Sequence, residues 1–329
     1  MITDSGFKPA WWLASSHAQT MFPALLRSIN APVDNTERIV LPDGDFIDLS
    51  WAVNGVSDKA PLVVLLHGLA GSVKSGYVAG LMHALNLQGC RAVLMHLRGA
   101  SDEPNRIARA YHSGDTADFN FFMHLLAQRE PDTLKAAIGF SLGGNVLLKW
   151  LGEQGDKAPL DAAVAVSVPF QLRMAADRMS HGFSRLYQAY LLNRLREVLS
   201  KKRSNLKGDI PLALRDADKW TCFWTFDENV TAPLNGFSSV HSYYRLSSSR
   251  PYLHAIQKPT LIIHSLDDPF MTEDILPGPD ELSSHVTLEL SAKGGHVGFI
   301  SGNIPGKPVY WLEQRIPEFL TTLFNKIPA

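Results

Sequence analysis

Cysteine is almost missing from this chain of 329 residues: Cys90 and Cys222 are the only two. Two are too few for a disulfide framework, and they form no Cys-x-x-Cys pair of the kind that holds zinc. They read as two reduced thiols of a reducing compartment. Neither sign of charge is in excess, with 31 basic residues against 32 acidic ones. That removes the electrostatic footprint of a nucleic-acid binder, and no acidic block reads as a tail. Long apolar runs are absent as well. The longest, 61–70 and 162–170, cover about ten residues, where a membrane span needs roughly 18 or more. The first residues show no basic patch followed by an apolar stretch, so no secretory signal is read there. The expectation is a soluble protein, cytoplasmic in a bacterium. The 12 histidines form no His-x-x-x-His or similar set with nearby Cys or carboxylates, so no metal is expected. No repeat or low-complexity tract interrupts the chain.

Apolar residues make up 45% and charged residues 19%, which is ample for a buried core. The opening arm carries Trp11, Trp12, Phe22, Leu25 and Leu26 and is expected to pack on the body of the domain. Residues 37–53 read as two strands around an Asp43-Gly44 turn. Short apolar runs then alternate with helical stretches. The runs are 62–66, 91–95, 134–138, 162–168, 260–264 and 286–290, rich in Val, Ile and Leu. They are mostly continuous, which suits strands covered on both faces in a mainly parallel sheet. The helical candidates are 75–87, 115–128, 142–152 and 308–324. Strand followed by helix, repeated, is the pattern of an α/β fold. The rhythm breaks between Val168 and Pro259. There, apolar residues at Leu186, Tyr190, Leu191, Leu195 and Val198 have helical spacing, so 169–258 reads as a mostly helical lid inserted between core parts 1–168 and 259–329.

Three features carry chemistry. Gly139-Phe140-Ser141-Leu142-Gly143 fits Gly-x-Ser-x-Gly, in which small flanking residues let a strand turn sharply into a helix and push the serine Oγ outward. Five residues alone are a weak signal, but an apolar run ends just before them and a helical run starts just after. His67-Gly68-Leu69-Ala70-Gly71-Ser72 follows the run 62–66, where a loop of this kind supplies a backbone N–H to an oxyanion hole. The donors would be the amides of Leu69 and Leu142, with His67 in a supporting hydrogen-bond role. Last come an acid and a histidine in the order Ser, Asp, His: Asp267-Asp268 after the run 260–264, and His296 between glycines after the run 286–290. Asp268, just before Pro269, is the chosen acid, with Asp267 as the alternative or as a loop-capping carboxylate. His264 reads as a strand-end residue. Lys201-Lys202-Arg203 reads as solvated lid surface, with recruitment of an anionic membrane face or an acyl phosphate as its functional alternative.

Taken together, these residues resemble the YheT-like group of α/β-hydrolases, a superfamily that also holds eukaryotic lipases. The resemblance runs over nearly the whole chain: His17-Ala18-Gln19-Thr20, the segment 67–72, Leu97-Arg98-Gly99, 103–106, 139–153, 167–170, 182–193, 232–237, 267–270 and 294–299. One departure is Ala18, where relatives tend to have leucine. The resemblance implies an α/β-hydrolase fold with Ser141, an aspartate of the 267–268 pair and His296 as the triad.

The expectation that follows is a serine hydrolase, a carboxylesterase or lipase-like enzyme acting on small to medium acyl esters through an acyl-enzyme, without metal or organic cofactor. An acyltransferase that passes the acyl group to an alcohol is the second reading. A non-catalytic binding module is the third. Acyl length, head group and oligomeric state are not legible in the residues.

Overall fold

The run Leu62–Leu66 has no polar side chain. Leu62, Val64 and Leu66 enter one apolar cluster, whereas Val63 and Leu65 enter another. That alternation is a strand with a core on each face. The computed structural model describes residues 1–205 and 211–327, and it extends the pattern into a sheet of nine strands. In chain order they are β1 (Ile2–Asp4), β2 (Asn35–Val40), β3 (Phe46–Ala52), β4 (Leu62–Leu66), β5 (Arg91–Met95), β6 (Lys135–Phe140), β7 (Ala162–Val166), β8 (Thr260–Ser265) and β9 (Val286–Ser291). Across the sheet they lie in the order β1-β9-β8-β7-β6-β4-β5-β3-β2. Neighbours from β1 to β5 run parallel, and β3 pairs antiparallel with both β5 and β2.

Helices cover both faces. On one side α2 (Gly76–Leu87) contributes Leu81 and Leu85 to the same cluster as Val63 and Leu65. On the other, α3 (Thr116–Arg129) and α4 (Leu142–Gln154) bury Phe119, Phe122, Leu147 and Trp150 against Leu62 and Val64. Burial of each such side chain is worth roughly 1.5–3 kcal/mol. The arm forms α1 (Ser16–Leu26), capped by the Ser15 hydroxyl, which accepts the Ala18 N–H.

Between β7 and β8 the described residues form no strand. They form α5 (Leu172–Met179), α6 (Ser184–Asn205), the short turns α7 (Leu212–Arg215), α8 (Phe223–Phe226) and α9 (Ala232–Leu234), and then α10 (Val240–Ser247). This segment has two small apolar clusters of its own. After β9 come a two-stranded ribbon, β10 (Ile300–Ser301) with β11 (Val309–Tyr310), and a closing helix α11 (Leu312–Phe324).

One local expectation is extended and two need correction. The arm does more than pack on the body: β1 adds a parallel strand to β9, in register Ile2 to Leu288. The last helix starts at Leu312 rather than at 308, because Tyr310 pairs with Ile300 and the Trp311 N–H donates to the Phe299 carbonyl. Lys202 is not solvated. It is 1% exposed, its Nζ donates to the Arg109 carbonyl, and burial pulls its ammonium down to about 7. It stands seven residues after Leu195, on the inward stripe of α6, while Lys201 beside it is exposed.

Candidate active site

Ser141 occupies the sharp junction of β6 and α4, with φ 49° and ψ −116°. A non-glycine residue rarely holds such a conformation, and the strain implies that the surroundings enforce it. They do so through two close approaches. A Cβ at Gly139 would lie 2.4 Å from the Gly143 carbonyl oxygen, and one at Gly143 would lie 2.6 Å from the carbonyl oxygens of Leu66 and His67. Only glycine lets β4, β6 and α4 meet this tightly. The serine projects at the carboxyl end of the sheet and lines a cavity of about 670 Å³, together with Leu69, Leu142 and His296. Pockets of this size hold small organic ligands.

The loop after β8 places Asp268, and the loop after β9 places His296. Asp268 Oδ2 lies 2.8 Å from His296 Nδ1, and its Oδ1 accepts the Phe270 N–H at 2.8 Å. Asp268 is buried, and its side chain is 1% exposed against 9% for that of His296. The Phe270 ring stacks on the imidazole at 3.9 Å with planes 9° apart. Asp267 turns elsewhere and accepts the Gly295 N–H at 2.9 Å. It therefore caps the neighbouring loop that carries His296 rather than its own loop. Burial pushes the Asp267 carboxyl above its ordinary value, and the charge of Asp268 adds to this against the hydrogen bonds it accepts.

The loop after β4 is tied at both ends. His67 is fully buried, with Nδ1 2.8 Å from the Gly68 carbonyl and Nε2 accepting the Leu97 N–H at 3.1 Å. Burial pulls its pKa down to about 4, so it is a neutral strut with its proton on Nδ1. The Gly68 N–H donates to the Tyr77 hydroxyl at 2.9 Å, and the Ala70 N–H donates to the Tyr111 hydroxyl at 3.1 Å. The Leu69 N–H between them has no acceptor among the described residues. The Leu142 N–H is in the same state, as one of the first amides of α4, whose ladder opens with Asn145 N–H to the Ser141 carbonyl. A helix amino end and a free loop amide suit a developing negative charge.

Ser141, Asp267, Asp268, His296, His67 and the Leu69 and Leu142 amides all reach this place, whereas Lys201 is exposed on α6 and His264 is a buried residue at the end of β8 whose Nδ1 has no partner among the described residues. Several contributors carried no signal in the bare residues. Thr20 accepts the His296 N–H at 2.9 Å, and Ser167 accepts the Val297 N–H at 3.0 Å. Gln19 donates to the carbonyls of Leu13 and Ile300 and accepts the Ile300 N–H. His17 Nδ1 lies 3.0 Å from the Tyr187 hydroxyl on α6. Only the resemblance around 17–20 pointed to these arm residues. Arg98 and Asn105 of the other resembling segments form a buried charge cluster, in which Asp118 and Asp45 bind the guanidinium. Among the described residues there is no group of three His, Cys, Asp or Glu able to hold a metal, and no helix long and apolar enough to cross a membrane.

Comparison with known proteins is consistent with this layout. The family described as alpha/beta hydrolase fold matches residues 61–303. The inferred esterase YheT of Escherichia coli (strain K12) is 43% identical, covering 97% of this chain and 94% of its own. Human phospholipase ABHD3 is 28% identical over 94% of this chain and 77% of its own. Among solved structures, the esterase Pf2001 of Pyrococcus furiosus superposes with a TM-score of 0.57 at 18% identity, covering 91% of this chain and 98% of that one.

Proposed function

The chain belongs to the α/β-hydrolase family, as a hydrolase of the esterase and lipase type, and from that premise we propose that it is a serine carboxylic ester hydrolase. The nucleophile is Ser141, the general base His296 and the orienting acid Asp268. The observation that carries this reading is the 2.8 Å contact of Asp268 with His296 Nδ1 beside a cavity lined by both His296 and the strained Ser141. With Nδ1–H held by the carboxylate, Nε2 is left as the basic nitrogen. It takes the Ser141 proton as Oγ bonds to the acyl carbonyl carbon. The Leu69 and Leu142 amides bind the oxygen that becomes negative. The imidazolium then gives its proton to the leaving alcohol, and the acyl group stays on Oγ. Water repeats the sequence in the second half, losing a proton to Nε2 and releasing the acid.

A cavity of about 670 Å³ suits small to medium acyl esters. Support for an acyl lipid among the substrates comes from the ABHD3 relative, named a phospholipase. Within 169–258, of which 206–210 lie outside the described residues, α6 acts as a lid over core parts 1–168 and 259–329, since its Leu191, Leu195 and Leu199 line the cavity. The test is Ser141→Ala, assayed on p-nitrophenyl butyrate and labelled with a fluorophosphonate. Hydrolysis should fall on the order of 10⁴–10⁶-fold, and labelling should vanish while the protein keeps its melting temperature. An alanine variant with a tenth of the parent activity would overturn the assignment.

A further inference from the structure

The two amides proposed above leave a third group beside the nascent oxyanion unexplained. Tyr77, the second residue of α2, directs its hydroxyl at the loop after β4, where it accepts the Gly68 N–H at 2.9 Å. A phenol that accepts one hydrogen bond still has its own proton to donate. In the resting structure the partner for that proton is a neutral one, the Ser75 hydroxyl. The hydroxyl is near the reacting serine. A Cβ built on Gly68 would stand 3.3 Å from Ser141 Cβ and 3.6 Å from the Tyr77 oxygen, and one built on Gly71 would stand 2.7 Å from that oxygen. Gly71 therefore keeps open the gap into which the phenol projects. Its ring is fixed against Phe140, the residue before the serine, at 4.6 Å between centroids. Tyr77, Ser141, Leu69 and Leu142 line the same cavity.

We propose that the Tyr77 hydroxyl is a third oxyanion donor, giving its hydrogen bond to the negative oxygen of the tetrahedral intermediate alongside the Leu69 and Leu142 amides. The inference rests on the serine-hydrolase reading and adds a catalytic side chain to it. No proton is transferred; the phenol stays intact and its O–H points at the charge. Burial supports this by pushing the hydroxyl up to about 12, so that it remains protonated through the working range. The neighbour that competes for the proton is the Ser75 hydroxyl, which already accepts the Ser72 N–H. An oxyanion wins that competition, because a hydrogen bond to an ionised acceptor is about twice as strong as one between neutral groups. Tyr111 is the natural control. It accepts the Ala70 N–H in the corresponding way and lines the same cavity, but its ring packs against His67, where that of Tyr77 packs against Phe140 next to the serine.

The test compares Tyr77→Phe and Tyr111→Phe on p-nitrophenyl butyrate and on a trifluoromethyl ketone that mimics the tetrahedral state. Removing one oxyanion donor costs about 10²–10³ in turnover. Tyr77→Phe should lose about that much in kcat with little change in KM, and the ketone should bind more weakly by a similar factor. Tyr111→Phe should lose far less. Because Tyr77→Phe also deprives the Gly68 amide of its acceptor, a second experiment replaces Tyr77 alone by 3-fluorotyrosine and by 3,5-difluorotyrosine. These keep the shape and the acceptor but make a stronger donor, so kcat should rise with phenol acidity. A flat response across the fluorinated series, or a Tyr77→Phe enzyme within a few-fold of the parent, would overturn the proposal while Ser141→Ala remains inactive. Activity retained by Ser141→Ala would instead overturn the hydrolase reading beneath it.

Discussion

Asp268 Oδ2 lies 2.8 Å from His296 Nδ1, whereas the adjacent carboxylate, Asp267, accepts the Gly295 N–H at 2.9 Å. One backbone thus points two neighbouring acids at two tasks. Asparagine at 268 keeps the shape but favours the imidazole tautomer with the wrong nitrogen free, and that can cost about 10⁴ in turnover. Asparagine at 267 still offers an oxygen to Gly295. It also replaces a carboxyl whose charged form is already disfavoured by burial, so the loss should stay near about 1 kcal/mol of stability with activity kept. Turnover and melting temperature of Asp267→Asn and Asp268→Asn, measured side by side, check both halves. If Asp267→Asn is the inactive one, the roles are reversed.

The inward stripe of α6 should set acyl-length preference. Leu191 and Leu195 are half-buried and line the cavity that Ser141 lines. Each methylene of a bound acyl chain is worth about 0.8 kcal/mol when buried, or roughly fourfold in affinity. Leu191→Ser or Leu195→Ser should therefore raise KM for p-nitrophenyl octanoate by about tenfold or more and leave acetate, which buries little there, near its parent value. Equal effects on both esters would mean that these leucines serve only the packing of the helix.

The strands that carry the site were legible because they are buried on both faces and hence continuously apolar. The runs 62–66 and 91–95 have the same bounds in the structure. β1 was not legible: three residues with one large apolar side chain have no periodicity, and the strand exists only because β9 offers an open edge. The same holds for Val309–Tyr310, whose partner Ile300 decides against helix. Lys202 was misjudged because a basic run normally marks a solvated face, and only its place on the inward stripe of α6 says otherwise. Ser141, Asp268 and His296 could be chosen because each follows its own strand in a turn with recognisable chemistry. Thr20, Ser167 and Tyr77 could not, since each acts through a contact with a loop that the chain order does not announce.

Acid sensitivity offers a last prediction, centred on His264. This residue of β8 is 2% exposed, and its Nδ1 finds no partner among the described residues. Burial pulls its pKa from 6.5 to about 4, with the His296 side opposing its charge and Asp268 favouring it less strongly than burial disfavours it. In the unfolded chain the imidazole takes its proton near 6.5, and in the folded chain only near 4. Between those values the unfolded state binds more protons, so stability is full above about pH 6.5 and is lost as the medium is acidified. One such group removes about 2 kcal/mol between about pH 7 and about pH 4.5. His67, pulled down to about 4 by burial, adds loss of the same sign in the same window. His264→Leu fills similar space without a buried nitrogen to satisfy, so it should match or slightly exceed the parent near neutrality. Its loss of stability on acidification should be smaller than the parent's by about 2 kcal/mol. Urea unfolding of both proteins at the two pH values measures this difference. Parallel losses would mean that His264 gains its proton as easily in the folded protein as in the unfolded chain, and that the β8 interior is more open to water than its burial indicates.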